Sequence, residues 1–399
     1  MTRAERWWTC TPKDFEGDAG FFSRDSGLLC SGFRRLGIDS RVVLLGESRR
    51  TDGAPVIRAS MRQLRCPSWW ISHGLDGVVL YAWGRPEFTP IVEAVRVAGI
   101  KVVLSQDSGG LVSPLCGARE WFTERWRVGG RWGVLRVPGV VLQVLRALSW
   151  GIVSLDLRRL DQFALGDGIA AVSPGALARY RRYVRAFGRE ELVRRLFLLP
   201  HPVSPDCTYE DGQPQKSCQV VAVGRWSDAA QKRPDLLMRV IEAASRRRKE
   251  YRFVIVGEPT TELEEWHRAL PPAIRERVEL SGVVAHEELV EVMKESRVLL
   301  VTSAFESFHI SAAEALCCGA TIVGSRSPCL PSLRWFTCGG SGTLAPKLGA
   351  EELGRALTRE LAEWEHGTRC PATISRRWGD QLHSDQVAAK VITWSKCSS

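Results

Sequence analysis

The chain reads as an α/β protein built from two doubly wound parallel-sheet domains. Three observations predict this. Its 399 residues exceed what one ordinary core organises and fit two. Strand-like apolar runs alternate with helix-like segments through both halves, the pattern of parallel strands joined by crossover helices. Between the halves, Pro200-His-Pro-Val-Ser-Pro-Asp to Gly212-Gln-Pro-Gln-Lys is rich in proline and polar residues, as linkers are.

The first half predicts strands near Trp7–Thr11, Arg41–Leu45, Val78–Tyr81, Lys101–Ser105, Ile169–Val172 and Leu196–Leu199, with a helix from about Phe21 to Leu36. The second half predicts strands at Gln219–Val223, Tyr251–Val256, Val278–Leu280, Val298–Thr302, Thr321–Val323 and Gly342–Leu344. Helices from about Arg233, His286, His309 and Glu351 separate most of these. The expected layout is a first domain over 1–200, a linker over 201–217 and a second domain over 218–377. Two such sheets would leave a cleft between their strand C-termini, where ligands of open parallel sheets bind.

Composition narrows the class. A content of 44% hydrophobic and 25% charged residues is that of a globular protein, not a disordered one. No run of eighteen uncharged apolar residues appears, and the N-terminus lacks the apolar stretch of a signal peptide. The 12 cysteines form no C-x-x-C pair, which argues against a zinc site or a disulfide framework and for reduced thiols in the cytoplasm. The net charge of +10 is lopsided: residues 1–200 hold 30 Lys+Arg against 19 Asp+Glu, and the remainder holds 25 against 26. A basic first half suits an anionic membrane face or a lipid-phosphate acceptor. No recognition motif accompanies it, so nucleic acid is not an expected partner.

The most informative segment is Ser303-Ala304-Phe305-Glu306-Ser307-Phe308-His309-Ile310-Ser311-Ala312-Ala313-Glu314-Ala315-Leu316-Cys317-Cys318-Gly319. It sets one carboxylate in a loop after a buried strand and a second inside the following helix. The first helical N–H groups lack intrahelical partners and carry the positive end of the dipole, so this is an anion site. The string resembles the E-x7-E signature of the family-four retaining glycosyltransferases. The resemblance implies a GT-B fold of two Rossmann-like domains, with the last helix, here about 378–399, crossing back onto the first domain. It implies that Glu306 contacts the donor sugar, that Glu314 holds the nucleotide ribose, and that Phe308, His309 and Ile310 border the diphosphate. His309 stands where the family usually keeps Gly.

Upstream, Val223-Gly224-Arg225-Trp226 and Gln231-Lys232-Arg233-Pro234 place two cations beside strand ends, chemistry suited to a departing pyrophosphate. They resemble the family's G-R-x(n)-K-G run, so Arg225 and Lys232 map to its diphosphate-binding pair, with Arg233 in place of Gly. Val254-Ile-Val-Gly257 and the turn at Gly282 are similar to the strand-turns near the nucleotide base. In the first half, the loop around Gly17 resembles the family's glycine loop, though an ordinary turn explains it nearly as well. Gln106-Asp107 occupies the place of a His-Asp pair in many relatives. Asp107 is there either a site residue or a helix N-cap. His201 beside Pro202 reads as a hinge residue. Residues Trp121 to Leu157 interleave Trp121, Trp126, Trp132 and Trp150 with arginines and then an apolar run, which fits either an interfacial segment or a long helix packed on the first sheet.

The expectation is a retaining, metal-independent hexosyltransferase with no cofactor. It would use a UDP-, GDP- or ADP-sugar as donor and a glycan, lipid-linked or small-molecule acceptor, in polysaccharide or glycoconjugate synthesis. Its place would be cytoplasmic, peripheral on the inner face of the membrane. The competing expectations are a GT-B phosphorylase or isomerase, and a non-catalytic binding protein of the same fold.

Overall fold

The computed structural model describes residues 5–23, 25–148, 150–247 and 250–397, leaving aside the side chains of residues 19, 130–132, 146–148 and 150–154. The chain divides into two compact units. One comprises Met1–Phe122, Val141–Ser204 and Gln381–Ser399; the other comprises Thr123–Val140 and Pro205–Asp380.

The first unit is built on seven parallel strands: β1 (Trp7–Thr11), β2 (Val42–Leu45), β3 (Val56–Ala59), β4 (Gly77–Tyr81), β5 (Lys101–Gln106), β6 (Gly168–Ala171) and β7 (Leu196–Leu198). Their order is β3-β2-β1-β4-β5-β6-β7, with Thr9 beside Val42 and Trp8 beside Val78. Every residue of β1 and β4 is buried, as expected of strands covered by helices on both faces. The order reverses between β1 and β4, which makes the strand ends there a topological switch point. β3 is absent from the sequence expectation because Arg58 interrupts its apolar run. The guanidinium is buried against Asp52 at 2.6 Å, so the strand keeps a cation inside by pairing it.

The second unit holds six parallel strands: β8 (Ser217–Val223), β9 (Arg252–Val256), β10 (Val278–Gly282), β11 (Ser296–Leu300), β12 (Thr321–Ser325) and β13 (Gly342–Ala345). Their order is β10-β9-β8-β11-β12-β13, with its switch point between β8 and β11. β11 begins and ends two residues before the expected span, because Thr302 and Ser303 turn toward neighbouring loops instead of the ladder.

Three expected helices are broken. The helix expected over Phe21–Leu36 is two, Ala19–Phe22 and Asp25–Arg35, with Asp25 at a positive φ of 48°. The C-terminal segment is also two, Pro371–Leu382 and Ser384–Cys397. The second sends Val387, Ala388 and Val391 into the first unit's core with Trp7, Leu29 and Phe33, and stacks Trp394 on Phe197 at 5.0 Å. Residues Trp121 to Leu157 are not one long helix. They lie in Ala118–Val128, a 3-10 stretch over Gly129–Leu135, Arg136–Leu148 and Trp150–Leu165, broken where Gly133 takes φ 54°. The side chains of Arg131, Trp132, Arg146 and Trp150, all part of the expected interleaving, lie outside the described residues.

Candidate active site

In the second unit, three glycine turns stand side by side at the C-terminal ends of β8, β9 and β10. The Gly224 amide donates to the Val256 carbonyl at 3.1 Å, and the Gly257 amide to the Gly282 carbonyl at 2.7 Å. Gly257 has φ 116°, and a Cβ there would lie 1.9 Å from the Gly224 carbonyl oxygen, so no other residue fits. Below them Trp226 is buried and its indole donates to Val256 O at 3.1 Å. Arg225 is exposed at the tip of the first turn, while Gly282 is open on its Cβ side.

Beside this floor, Lys232 ends the short helix Ala229–Lys232, which Asp228 caps by accepting from the Gln231 amide. Its ammonium lies 2.6 Å from Glu306 Oε1, and the Ser303 hydroxyl donates to the same oxygen at 2.9 Å. Both side chains of the pair are nearly buried. Burial pushes the Glu306 carboxyl up, but His309, Lys232 and Ser303 together hold it below the ordinary carboxylate range. Burial drives His309 itself down to about 4. At neutral pH that ring is uncharged, so Lys232 is the charge that holds Glu306 ionised.

The Glu306 loop is fixed from several sides. Ala304 N–H donates to the Gln231 carbonyl, Gln231 Nε2 donates to Phe305 O, and the Glu306 amide donates to Cys329 O at 2.9 Å. Arg127, from the first half of the sequence, donates to Ala304 O at 2.7 Å and to Ser327 Oγ at 2.5 Å. Val128 packs against Ala304, Phe305 and Cys329. Nothing in the spacing of Arg127 reveals this role, because the contact spans 177 residues.

His309 sits at φ 73° as the N-cap of helix Ile310–Cys317, and its Nδ1 accepts from the Ala312 amide at 3.2 Å. The imidazole therefore takes up one of the free N–H groups at the helix start. It is buried. Ile310 is half-buried at the first helical position. Phe308 is a core residue, edge-on to Phe336 at 5.2 Å, and its carbonyl accepts from the Ser332 hydroxyl. Glu314 lies inside the same helix, nearly buried, with His286 Nδ1 at 4.0 Å.

The first unit carries a separate polar cluster. Asp107 follows β5 and starts no helix, so it is not an N-cap. Its Oδ1 lies 2.7 Å from His201 Nε2, and its Oδ2 accepts from the Trp83 indole at 3.2 Å. His201 Nδ1 lies 3.4 Å from Asp25. Burial pushes the His201 imidazole down, but the carboxylates of Asp107 and Asp25 outweigh it and raise the group to about 9. His201 is thus an imidazolium clamped between two carboxylates, not merely a hinge residue. The signal available in the sequence was a His-Pro following a buried strand, which spacing alone does not connect to Asp107. Gln106 is fully buried, and both of its amide atoms lack a hydrogen-bond partner among the described residues. Gly17 is packed against Asp52 and Val56; its amide goes to the Asp52 carboxylate and its carbonyl accepts from Gly53.

Residues 217–363 match the family described as Glycosyl transferases group 1. The chain is similar to a component of the Arabidopsis thaliana phosphatidylinositol N-acetylglucosaminyltransferase, with 24% identity over 181 residues, which is 45% of this chain. The match spans only 40% of that relative's length. Among solved structures, Anabaena HepE in complex with UDP superposes with a TM-score of 0.63 at 13% identity, covering 98% of this chain and 100% of that one. The same Anabaena protein was also solved with UDP-glucose. A glycosyltransferase from Rickettsia africae superposes with a TM-score of 0.62 at 9% identity, covering 99% of this chain and 98% of that one. The fold is GT-B.

Proposed function

Because residues 217–363 match the glycosyl transferases group 1 family, we propose that the protein transfers a sugar from a nucleotide diphosphate sugar with retention of configuration. The observation that carries this reading is the Lys232–Glu306 pair at 2.6 Å beside the start of the helix holding Glu314. The donor's diphosphate takes Lys232, Arg225 and the remaining N–H groups at the helix start as its partners. These stabilise the charge that develops as the leaving group departs, without a metal ion. Glu306, released from Lys232, hydrogen-bonds the sugar hydroxyls, and Glu314 holds the ribose. The acceptor hydroxyl attacks from the face the leaving group vacates and gives its proton to a donor phosphate oxygen. The base rests on the turns at Gly257 and Gly282, and UDP is the first nucleotide to test because the Anabaena neighbour holds it.

The acceptor is a glycan, lipid-linked or small molecule met by the basic first half, and Asp107 is its candidate hydrogen-bond acceptor. The test is release of nucleoside diphosphate from UDP-, GDP- and ADP-sugars by the full chain, with and without acceptor. Lys232→Ala and Glu306→Gln are expected to lower turnover about 100-fold or more. Unchanged turnover in either variant contradicts the assignment. Donor binding without any release of nucleoside diphosphate would favour a binding protein instead.

A further inference from the structure

The helix Arg136–Leu148 is inside out. Residues four apart on a helix share a face, and here Val137, Val141 and Leu145 form such a row, flanked by Leu142. Val134 and Leu135 lead into it. All six are large apolar side chains left in the open, from 50% exposed at Val141 to 97% at Val134. A soluble surface does not ordinarily carry a contiguous apolar stripe of this kind.

The inner side of the segment is anchored. Arg127 and Val128 hold it to the Ala304–Phe305 loop, Val140 is buried, and the turn Gly129–Leu135 lies against the short helix bearing Lys232. The outward face is therefore held in place, not left as a frayed loop. Its charge is of one sign. Between Arg125 and Leu155 there are five arginines (Arg125, Arg127, Arg131, Arg136 and Arg146) and no Asp or Glu. The Arg136 guanidinium lies over the Trp126 ring at 4.3 Å, an amphipathic pair of the kind found at the water–lipid boundary. Among the described residues no helix is long and apolar enough to cross a bilayer; an exposed apolar row beside arginine is the makeup of a segment that lies on a surface.

We propose that the exposed face of the single helix Arg136–Leu148, carrying Val137, Val141, Leu142 and Leu145, seats this protein on an anionic lipid surface. Apolar side chains enter the headgroup boundary while the Arg136 guanidinium, lying over Trp126, meets lipid phosphate. The proposal does not rest on the glycosyl-transfer reading, and vesicle binding reports it without turnover.

The experiment is co-sedimentation of the full chain with vesicles of phosphatidylcholine alone and of phosphatidylcholine containing phosphatidylglycerol. The expected result is binding to the anionic vesicles only, weakened by salt, and reduced at least tenfold in the double variant Leu142→Ser, Leu145→Ser. Both positions are exposed, so the variant is expected to fold, which circular dichroism checks. Failure to bind anionic vesicles, equal binding to neutral ones, or unchanged binding by the variant overturns the proposal. Light scattering that finds a dimer dissolved by the same substitutions also overturns it, since the face would then belong to a second copy of the chain.

Discussion

Four residues other than glycine adopt positive φ among the described residues, and all four stand at the two polar sites. Asp25 and Trp83 belong to the His201–Asp107 cluster; Arg233 and His309 flank the Lys232–Glu306 pair. A left-handed backbone costs a non-glycine residue about 1 kcal/mol, and such strain persists where surrounding contacts enforce it. Both departures from the family's glycines, at 233 and 309, keep a conformation glycine would take freely. Arg233 is held by two 2.8 Å contacts to Asp235, and His309 by its cap to Ala312. His309→Gly is expected to lower thermal stability, since emptying the buried imidazole site and losing its cap outweigh the relief of about 1 kcal/mol of strain. The freed helix N–H groups should tighten donor binding, measurable by titration calorimetry. A weaker donor affinity would mean that His309 itself contacts the donor.

His201 makes a second prediction at this scale. Its imidazole is raised to about 9 in the fold against about 6.5 when unfolded. The stability it contributes is complete below pH 6.5 and lost as pH rises through 9, at most roughly 3 kcal/mol. Denaturant unfolding at pH 6 and pH 9.5 should show that loss in the wild type and a much flatter response in His201→Asn.

At the scale of elements, the strand-end glycines separate two kinds of constraint. Gly257→Ala meets both a forbidden φ and the Gly224 carbonyl, so it should cost more than about 3 kcal/mol or prevent folding. Gly282→Ala meets no atom within 4 Å, so only its φ of 66° opposes it, at about 1 kcal/mol. Equal losses in thermal unfolding would contradict this. The parallel strands were legible because both faces are covered, giving continuous apolar runs such as Val254-Ile-Val. β3 was not, because a buried Arg58–Asp52 pair looks like a solvated edge in sequence. Glu306, Lys232 and Glu314 stood out as candidates through the order and spacing of their motifs, but the pairing of Lys232 with Glu306 did not. The partners Arg127, Trp226 and His201 were not, since each acts through a contact that only folding brings together.

For the whole molecule, the two units divide the charge as the sequence does, with the excess of arginine in the first half. The C-terminal helix Ser384–Cys397 is part of the first unit's core, so truncation before Ser384 should destabilise that unit and not only shorten the chain. Urea unfolding followed by tryptophan fluorescence, with Trp7 and Trp70 buried in that unit and retained by the truncated chain, would register it. In the second unit the Lys232 ammonium holds the Glu306 carboxylate, and the proposed function assigns that same cation to the donor's diphosphate. The most direct test is thermal stabilisation of the wild type and of Lys232→Ala by a UDP-sugar. A donor site of this kind predicts stabilisation of about 2.7 kcal/mol at a hundredfold the dissociation constant, lost in Lys232→Ala. Equal stabilisation of the two proteins, or none in the wild type by any nucleotide sugar, would contradict it.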